Sequence, residues 1–399
     1  MIIIILVINL GSSSLRFNLF SKNSLSSIFK GICENIGTPN SRVSYISETN
    51  KKCIDLNLKN HKEAFSFIKK LLIHSPHAPI KDLNQISAIG HRVVHGGSFF
   101  DSPSIIDSDT INKIKSLIPL APIHNAMNLE GILDCQIEFP NIIQVAVFDT
   151  SFFFNLPEKV KTYPIPYELS KKLNIRKYGF HGISHKWALQ QYMKISSKSA
   201  SKVISCHLGS GSSICAIKNG NPIDISMGLT PLGGLMMSTR SGSMDPSVVT
   251  CLIKSGINYD EIDDILNKKS GLLGISEFSG DIRELLNKND YKSNLALDMF
   301  IYKIIKYIGS YIASLNGIDS IIFTGGIGEN NYYIREKICN NFKFLGIEID
   351  KSTNEKPLIG TSKLISNSKS SADICVVRTD EEYSIAEQTC EIMNHIKRN

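Results

Sequence analysis

The sequence predicts an α/β fold made of two related halves, on three observations. Short β-branched runs alternate with segments of helical period along all 399 residues. A strand, a Gly/Ser turn and a second strand occur twice, about half a chain apart. At about 100–200 residues per domain, the length corresponds to two or three domains.

The expected strands are residues 2–8, 86–89, 142–148, 202–206, 214–217, 318–323 and 374–377. Residues 61–72, 110–117, 185–193 and 259–266 carry helical period between them. The longest apolar helix is read at 294–316, with Gly317 as its C-cap. Asp298, Lys303 and Lys306 interrupt it, so it reads as a core helix and not a membrane span. Residues 41–60 and 352–373 are polar and read as loops or edge hairpins. The opening run Ile2 to Ile8 has no basic residue before it and no small-residue cleavage site after it, so it reads as a buried strand and not a signal segment.

Composition excludes several function classes. The net charge of +7 is scattered, with basic residues no denser than pairs such as Lys51-Lys52, so no nucleic-acid or membrane-binding patch is expected. Nine cysteines stand at least nine residues apart, which excludes a CxxC redox site or a zinc ribbon and points to reduced thiols in a cytoplasm.

The two echoing segments are Val7-Ile8-Asn9-Leu10-Gly11-Ser12-Ser13-Ser14-Leu15 and Ile204-Ser205-Cys206-His207-Leu208-Gly209-Ser210-Gly211-Ser212-Ser213-Ile214. A Gly/Ser turn presents unhindered backbone N–H groups, and such concavities bind phosphate oxygens. Either copy alone fits an ordinary hairpin; the pair, one per half, fits a phosphate cleft, and both readings stand at this level. Neither is a Walker A loop. A third glycine element, Thr324-Gly325-Gly326-Ile327-Gly328-Glu329-Asn330, follows a strand, with a helix expected from Asn331 to Cys339. It suits close backbone approach by a ligand, or close packing without one, and lacks the GxGxxG of a dinucleotide fold.

Charged groups cluster near these turns. His91-Arg92-Val93-Val94-His95-Gly96-Gly97 has two His four apart, but in a strand such residues lie about 13 Å apart, which argues against a shared metal. Arg92 fits bidentate anion binding, with a surface salt bridge as the plain alternative. His181-Gly182-Ile183-Ser184-His185 places His181 in a turn before a helix beginning near Ser184; buried, satisfied histidines are the expectation for His95 and His185. Asp149 ends a strand, where α/β proteins gather ligands. Arg240 lies in a loop of small residues. Asp380 reads as a helix N-cap with Glu381 and Glu382 in the first turn, which leaves a Mg²⁺ role open.

Together these residues resemble the acetate kinase family, essentially end to end. The matching pieces are residues 7–17, 91–97, 121–128, 147–150, 178–187, 206–217, 236–246, 323–330 and 379–386, in the family's order. The resemblance implies two duplicated ribonuclease-H-like domains of the actin and sugar-kinase type, flanking an ATP cleft. It implies reversible phosphoryl transfer from ATP to acetate, giving ADP and acetyl phosphate, with Mg²⁺ (or Mn²⁺), by a cytoplasmic homodimer. By position, Asn9 and Glu381 would hold the metal, Arg92 and Arg240 the carboxylate and the phosphoryl group, and His181 that group in the transition state. Asp149 matches the family's catalytic acid/base. His207, Leu208, Gly209, Ser210 and Gly211, then Asp281, Ile282 and Arg283, then Gly326, Ile327, Gly328, Glu329 and Asn330 match nucleotide-contacting segments. Arg16 stands where a nucleotide-contacting Lys is common. Val94, Ile123, Phe180 and Pro231 match the pocket for the substrate methyl group.

Acetate is ionised at neutral pH, so no base is needed to activate it, and Asp149 is expected to orient Arg92 or the metal shell instead of removing a proton. The chain departs from the family pattern at Ala126 (often Pro), Phe153 (often His), Ser210 (often Asn), and Gly233 and Ser243 (often acidic). The competing functions are a propionate kinase and an ATP-driven clamp of the actin or chaperone type. The expected domains are 1–149 and 150–383, with a C-terminal helix at 384–399 packing back on the first.

Overall fold

The computed structural model describes residues 4–47, 51–76, 78–196 and 201–396. The chain divides into two compact units: residues 1–154 with 380–399, and residues 155–379. The first boundary falls a few residues after 149 because Thr150 and Ser151 carbonyls accept the Phe153 and Phe154 N–H groups and tie that turn to the strand before it.

In the first unit the strands are β1 (Ile4–Gly11), β2 (Ser14–Ser21), β3 (Ser27–Glu34), β4 (Ser41–Ser47), β5 (Lys51–Leu56), β6 (Ile86–Val93), β7 (Ser104–Ile105) and β8 (Ile143–Phe148). Their order is β5-β4-β3-β2-β1-β6-β8-β7. The second unit contributes β9 (Lys202–Leu208), β10 (Ser212–Lys218), β11 (Asn221–Ile225), β12 (Ser320–Thr324), β13 (Ser362–Leu364) and β14 (Asp373–Val377), in the order β11-β10-β9-β12-β14-β13. The two sheets repeat one plan. Three antiparallel strands open each unit, and the first of them then pairs in parallel with a later strand, which pairs in parallel with another. The echo seen in the sequence is therefore the β1–β2 hairpin of one sheet and the β9–β10 hairpin of the other. The turns differ by one residue: Ser12 and Ser13 close the first, and Gly209 to Gly211 close the second.

Central strands are largely apolar because both faces are covered. Along β1, Ile4, Leu6 and Ile8 join a core with Phe65, Ile68, Cys135 and Phe139, from the helices His61–His74 and Pro122–Glu138. The alternate residues Ile5 and Val7 are equally buried, on the face that packs the C-terminal helix Glu381–Ile396. That helix also packs on β6, where Gly90 admits it: a Cβ there would strike the Thr389 hydroxyl and sit 2.8 Å from Ile385 Cγ2. It begins earlier than residue 384 because Asp380 caps it, its carboxylate accepting the Tyr383 N–H at 2.9 Å.

In the second unit the core lies between β9, β10, β12, β14 and the helix Tyr291–Leu315. This helix starts before residue 294 because Asp290 accepts the Ser293 N–H at 2.8 Å. It ends on Asn316 in a left-handed conformation (φ +55°), one residue ahead of the expected Gly317. The glycine element after β12 is itself a short helix, Gly325–Asn330, and Asn331 caps the next, Tyr332–Cys339. Residues 41–47 and 51–56 pair antiparallel as β4 and β5 at the edge of the sheet, as their polarity implied. Among the described residues no helix is long and apolar enough to cross a membrane.

Candidate functional site

Each unit carries its own cluster of polar groups at the mouth of its hairpin. In the first, β6 delivers Arg92 and the end of β8 delivers Asp149, whose N–H is held by the Val93 carbonyl. Arg92 donates to both Asp149 oxygens, from Nε at 3.1 Å and from Nη2 at 2.7 Å. Its Nη1 lies 3.6 Å from Glu381 Oε2 at the start of the C-terminal helix. The Asp149 side chain is 2% exposed, so this is a buried fork and not the surface salt bridge that was the alternative. Burial opposes the Arg92 charge, but Asp149 and Glu381 outweigh it and raise its pKa. Burial pushes the Glu381 carboxyl above its usual range, with Asp149 and Glu382 adding to the rise and Arg92 and Arg16 opposing it. Arg16 is exposed and stands directly across the hairpin from Asn9.

The loop after Arg92 is fixed from the helix Pro122–Glu138. Asn128 accepts the Val94 N–H, Asn125 accepts the His95 N–H and donates to its carbonyl, and Thr150 accepts the Gly96 N–H, all at 2.9–3.0 Å. Sequence reasoning gave Asn125 and Asn128 no role; their only sign was an Asn-x-x-Asn spacing at a helix start. His95 and His185 are buried, and burial depresses both. Val94 is almost buried, and Ile123 is 55% exposed.

Could this cluster hold a metal? Among the described residues no group of three or more His, Cys, Asp or Glu could do so. Mg²⁺ does not require such a cage: it takes one or two protein oxygens and completes its shell with water and phosphate. The Glu381 carboxylate and the Asn9 amide are hard oxygen donors of that kind, so the residues fit.

The second unit's cluster surrounds the β9–β10 turn. His181 precedes the helix Gly182–Ile195 in a left-handed conformation (φ +61°, ψ +24°), which costs a residue with a Cβ about 1–2 kcal/mol. Its Nδ1 lies 3.0 Å from Ser213 Oγ on β10. The His207 ring lies 4.4 Å from that of His181, and its Nδ1 meets Ser184 Oγ at 2.7 Å. Arg240 is half-buried; its guanidinium donates to the Pro231 carbonyl and the Met237 sulfur and has no carboxylate partner among the described residues. Burial lowers its pKa, yet a guanidinium stays charged. An unneutralised, largely desolvated cation is an anion site in waiting. A Cβ on Gly211 would lie 3.4 Å from Arg240 Nη1 and 3.5 Å from His181 Nε2, so both groups aim at one small space that glycine leaves open. Phe180 is buried beside this segment and Pro231 half-buried.

Next to that space is a cavity of about 530 Å³, within the range usual for small-molecule sites (about 300–1,000 Å³). Gly209, Ser210, Asp281, Ile282, Arg283, Gly326, Ile327 and Asn330 line it, joined by Ser238, Gly280 and Asn331. Three segments spread over more than a hundred residues of sequence thus meet around one hollow. Leu208 and Gly328 are buried in the packing behind it. Glu329 turns its carboxylate away to accept the Thr379 N–H at 2.8 Å. Thr379 in turn accepts the Gly325 N–H, and Arg335 donates to the carbonyls of Gly328 and Glu329, so the short helix is clamped at both ends. Gly325 has φ +78°, and a Cβ there would lie 2.6 Å from the Leu208 carbonyl oxygen, so only glycine allows this approach. Asp281 caps the helix Ile282–Lys288 and grips the exposed Arg283 guanidinium.

The model of the acetokinase family matches residues 4–387. The chain belongs to the acetokinase family. It is similar to the acetate kinase of Thermoanaerobacterium thermosaccharolyticum, with 46% identity over 98% of this chain and all of that one. It is likewise similar to that of Thermotoga maritima, at 43% identity over 99% of this chain. Among solved structures, Porphyromonas gingivalis acetate kinase superposes with a TM-score of 0.91 at 39% identity, over 98% of this chain and all of that one. A propionate kinase from Francisella tularensis matches with the same TM-score at 42% identity, over 98% of this chain and 99% of that one. These full-length likenesses agree with the repeated sheet plan: the fold is two duplicated domains of the actin and sugar-kinase type.

Proposed function

We propose that the chain transfers the γ-phosphoryl group of ATP reversibly to acetate, giving acetyl phosphate and ADP. The observation that carries this reading is the space over Gly211, where Arg240 brings an uncompensated positive charge and His181 a ring nitrogen next to a nucleotide-sized cavity. Phosphoryl transfer asks a protein for positioning and charge neutralisation more than for covalent chemistry. The cavity would take the nucleotide, with Gly209, Ser210 and the start of the Gly325–Asn330 helix against its phosphates and Arg283 at its mouth. Arg240 and His181 would meet the oxygens of the transferring group.

Arg92 would bind the carboxylate, aimed by Asp149. Asp149 already accepts two hydrogen bonds from that guanidinium, which supports an orienting role over proton transfer. Asn9 and Glu381 would hold Mg²⁺, with Mn²⁺ as a substitute. When bound, that ion would neutralise charge on the phosphate groups. Val94, Ile123, Phe180 and Pro231 would enclose the methyl group.

Likeness to a propionate kinase keeps a second substrate in view, because one methylene in an apolar pocket is worth only about 1–3 kcal/mol. Trapping acyl phosphate with hydroxylamine, using ATP, Mg²⁺ and acetate, propionate or butyrate, ranks the substrates. ATP hydrolysis indifferent to all three would instead favour the clamp. All nine cysteines are free thiols, which supports a reducing, cytoplasmic setting. The homodimer implied by the resemblance is tested by light scattering, at twice the mass of one chain.

A further inference from the structure

Behind His181 runs a hydrogen-bonded chain that the proposed reaction does not use directly. His185, four residues on in the same helix, is wholly buried. Its Nδ1 lies 2.9 Å from Ser205 Oγ on β9, and its Nε2 lies 2.8 Å from Ser213 Oγ on β10. Ser213 Oγ also reaches His181 Nδ1 at 3.0 Å. Both serines are fully buried, and among the described residues the Ser205 side chain has no hydrogen bond other than the one to His185.

We propose that Ser205, His185 and Ser213 are positioning residues that fix the tautomer of His181, so that Nδ1 accepts and Nε2 carries the proton toward the space shared with Arg240. The direction of donation follows from hydrogen-bond accounting. A buried hydroxyl proton without an acceptor is costly. Ser205 has one neighbour able to accept, so its O–H donates to His185 Nδ1. His185 is kept neutral, burial and then the neighbouring His207 pushing it well below its ordinary value, so its one proton sits on Nε2. That proton goes to Ser213 Oγ, which leaves the Ser213 O–H to donate to His181 Nδ1. The neutral His181 ring then carries its proton on Nε2. Run the other way, the chain would strand the Ser205 proton in the core. Among the groups facing His181 are His207, with its ring at 4.4 Å, and Arg240 across Gly211. A fixed N–H at that place is a ready donor to a phosphoryl oxygen and has nothing to reorganise during transfer.

This inference deepens the kinase reading and rests on it for its purpose, but its test needs no turnover. Long-range proton–nitrogen correlation spectra of the full-length protein, labelled with ¹⁵N-histidine and recorded near neutral pH, report each ring's tautomer. His181→Gln assigns the signal by removing it. The expected spectrum shows His181 with a bare Nδ1 and a protonated Nε2, in about tenfold or greater excess over the other tautomer. Ser213→Ala should erase that preference and lower kcat about tenfold with the KM for ATP unchanged, and Ser213→Thr should restore both. A His181 protonated at Nδ1 in the unmutated protein overturns the proposal, even if Ser213→Ala fails to fold. So does a folded Ser213→Ala protein with the tautomer unchanged. If the tautomer is as expected but no acyl phosphate forms, the kinase reading fails and the relay stands.

Discussion

Asp149→Asn separates orientation from proton transfer. In the structure Asp149 accepts two guanidinium hydrogen bonds from Arg92, at 3.1 and 2.7 Å, behind a side chain 2% exposed. Asparagine keeps one acceptor oxygen and turns an NH₂ toward the other guanidinium N–H. One charge-assisted hydrogen bond, worth about 1.5–3 kcal/mol, is lost. Glu381, 3.6 Å from Nη1, still compensates part of the Arg92 charge, so the full loss of about 3–5 kcal/mol for a broken buried pair is not reached. At 1.36 kcal/mol per tenfold, kcat/KM should fall by about 10- to 150-fold. Initial rates of acyl phosphate formation, measured against pH and Mg²⁺, supply the assay. The Mg²⁺ concentration for half-maximal rate should rise, since Arg92 freed from Asp149 leans on Glu381. The pH optimum should stay, since acetate needs no deprotonation. Disappearance of one limb of the pH–rate profile would refute the reasoning and make Asp149 a proton carrier.

Gly211→Ala should leave the unfolding free energy within about 0.5 kcal/mol of the parent, because its Cβ meets neighbours at 3.4 Å and beyond, yet cut kcat tenfold or more by filling the space between Arg240 and His181. Parent-like activity would mean that space is not the reaction site. Gly90→Ala should cost about 1–3 kcal/mol of stability, read by urea unfolding, since the C-terminal helix must retreat from β6. An unchanged midpoint would show that the helix has slack. Burial pushes His91 and His95 down to about 4, against about 6.5 when unfolded. Their folded-state values are depressed, so the unfolded chain binds the protons first. Stability should be intact above pH 6.5 and fall as pH drops toward about 4, by up to about 3 kcal/mol per histidine. A flat profile of unfolding midpoint across that window would contradict it.

Much of the fold was legible because burial on both faces leaves a plain sequence trace. β1, β8, β9, β12 and β14 read as strands from short, mostly apolar β-branched runs, and the repeated hairpin announced the duplication. Two other strands were not legible: β3, inside the first sheet, and β11, at the edge of the second, alternate with polar residues and owe their strand form to their neighbours. Helix starts were misread where a cap outside the apolar run sets them, as Asp290 does four residues before Asn294. The Gly325–Asn330 helix was read as a turn because glycine propensity argues against helix, and Thr379 and Arg335, far away in sequence or outside the run, hold it.

At the site, the charged residues stood out because Arg, His and Asp beside glycine are conspicuous. The groups that aim them did not, because a serine in a Gly/Ser turn looks like a turn residue. Only the structure shows Ser213 between two histidines. Nor does sequence spacing tell that Glu329 turns away to Thr379 while Asn330 faces the cavity.

The most direct measurement is the product itself: acid hydroxamate formed with ATP and Mg²⁺, with and without acetate, alongside inorganic phosphate release. The account predicts acyl phosphate formation that requires both acetate and the metal, is abolished by exchanging Arg240 for alanine, and is accompanied by little free phosphate. Phosphate released at the same rate whether or not acetate is present, with no hydroxamate, would contradict it.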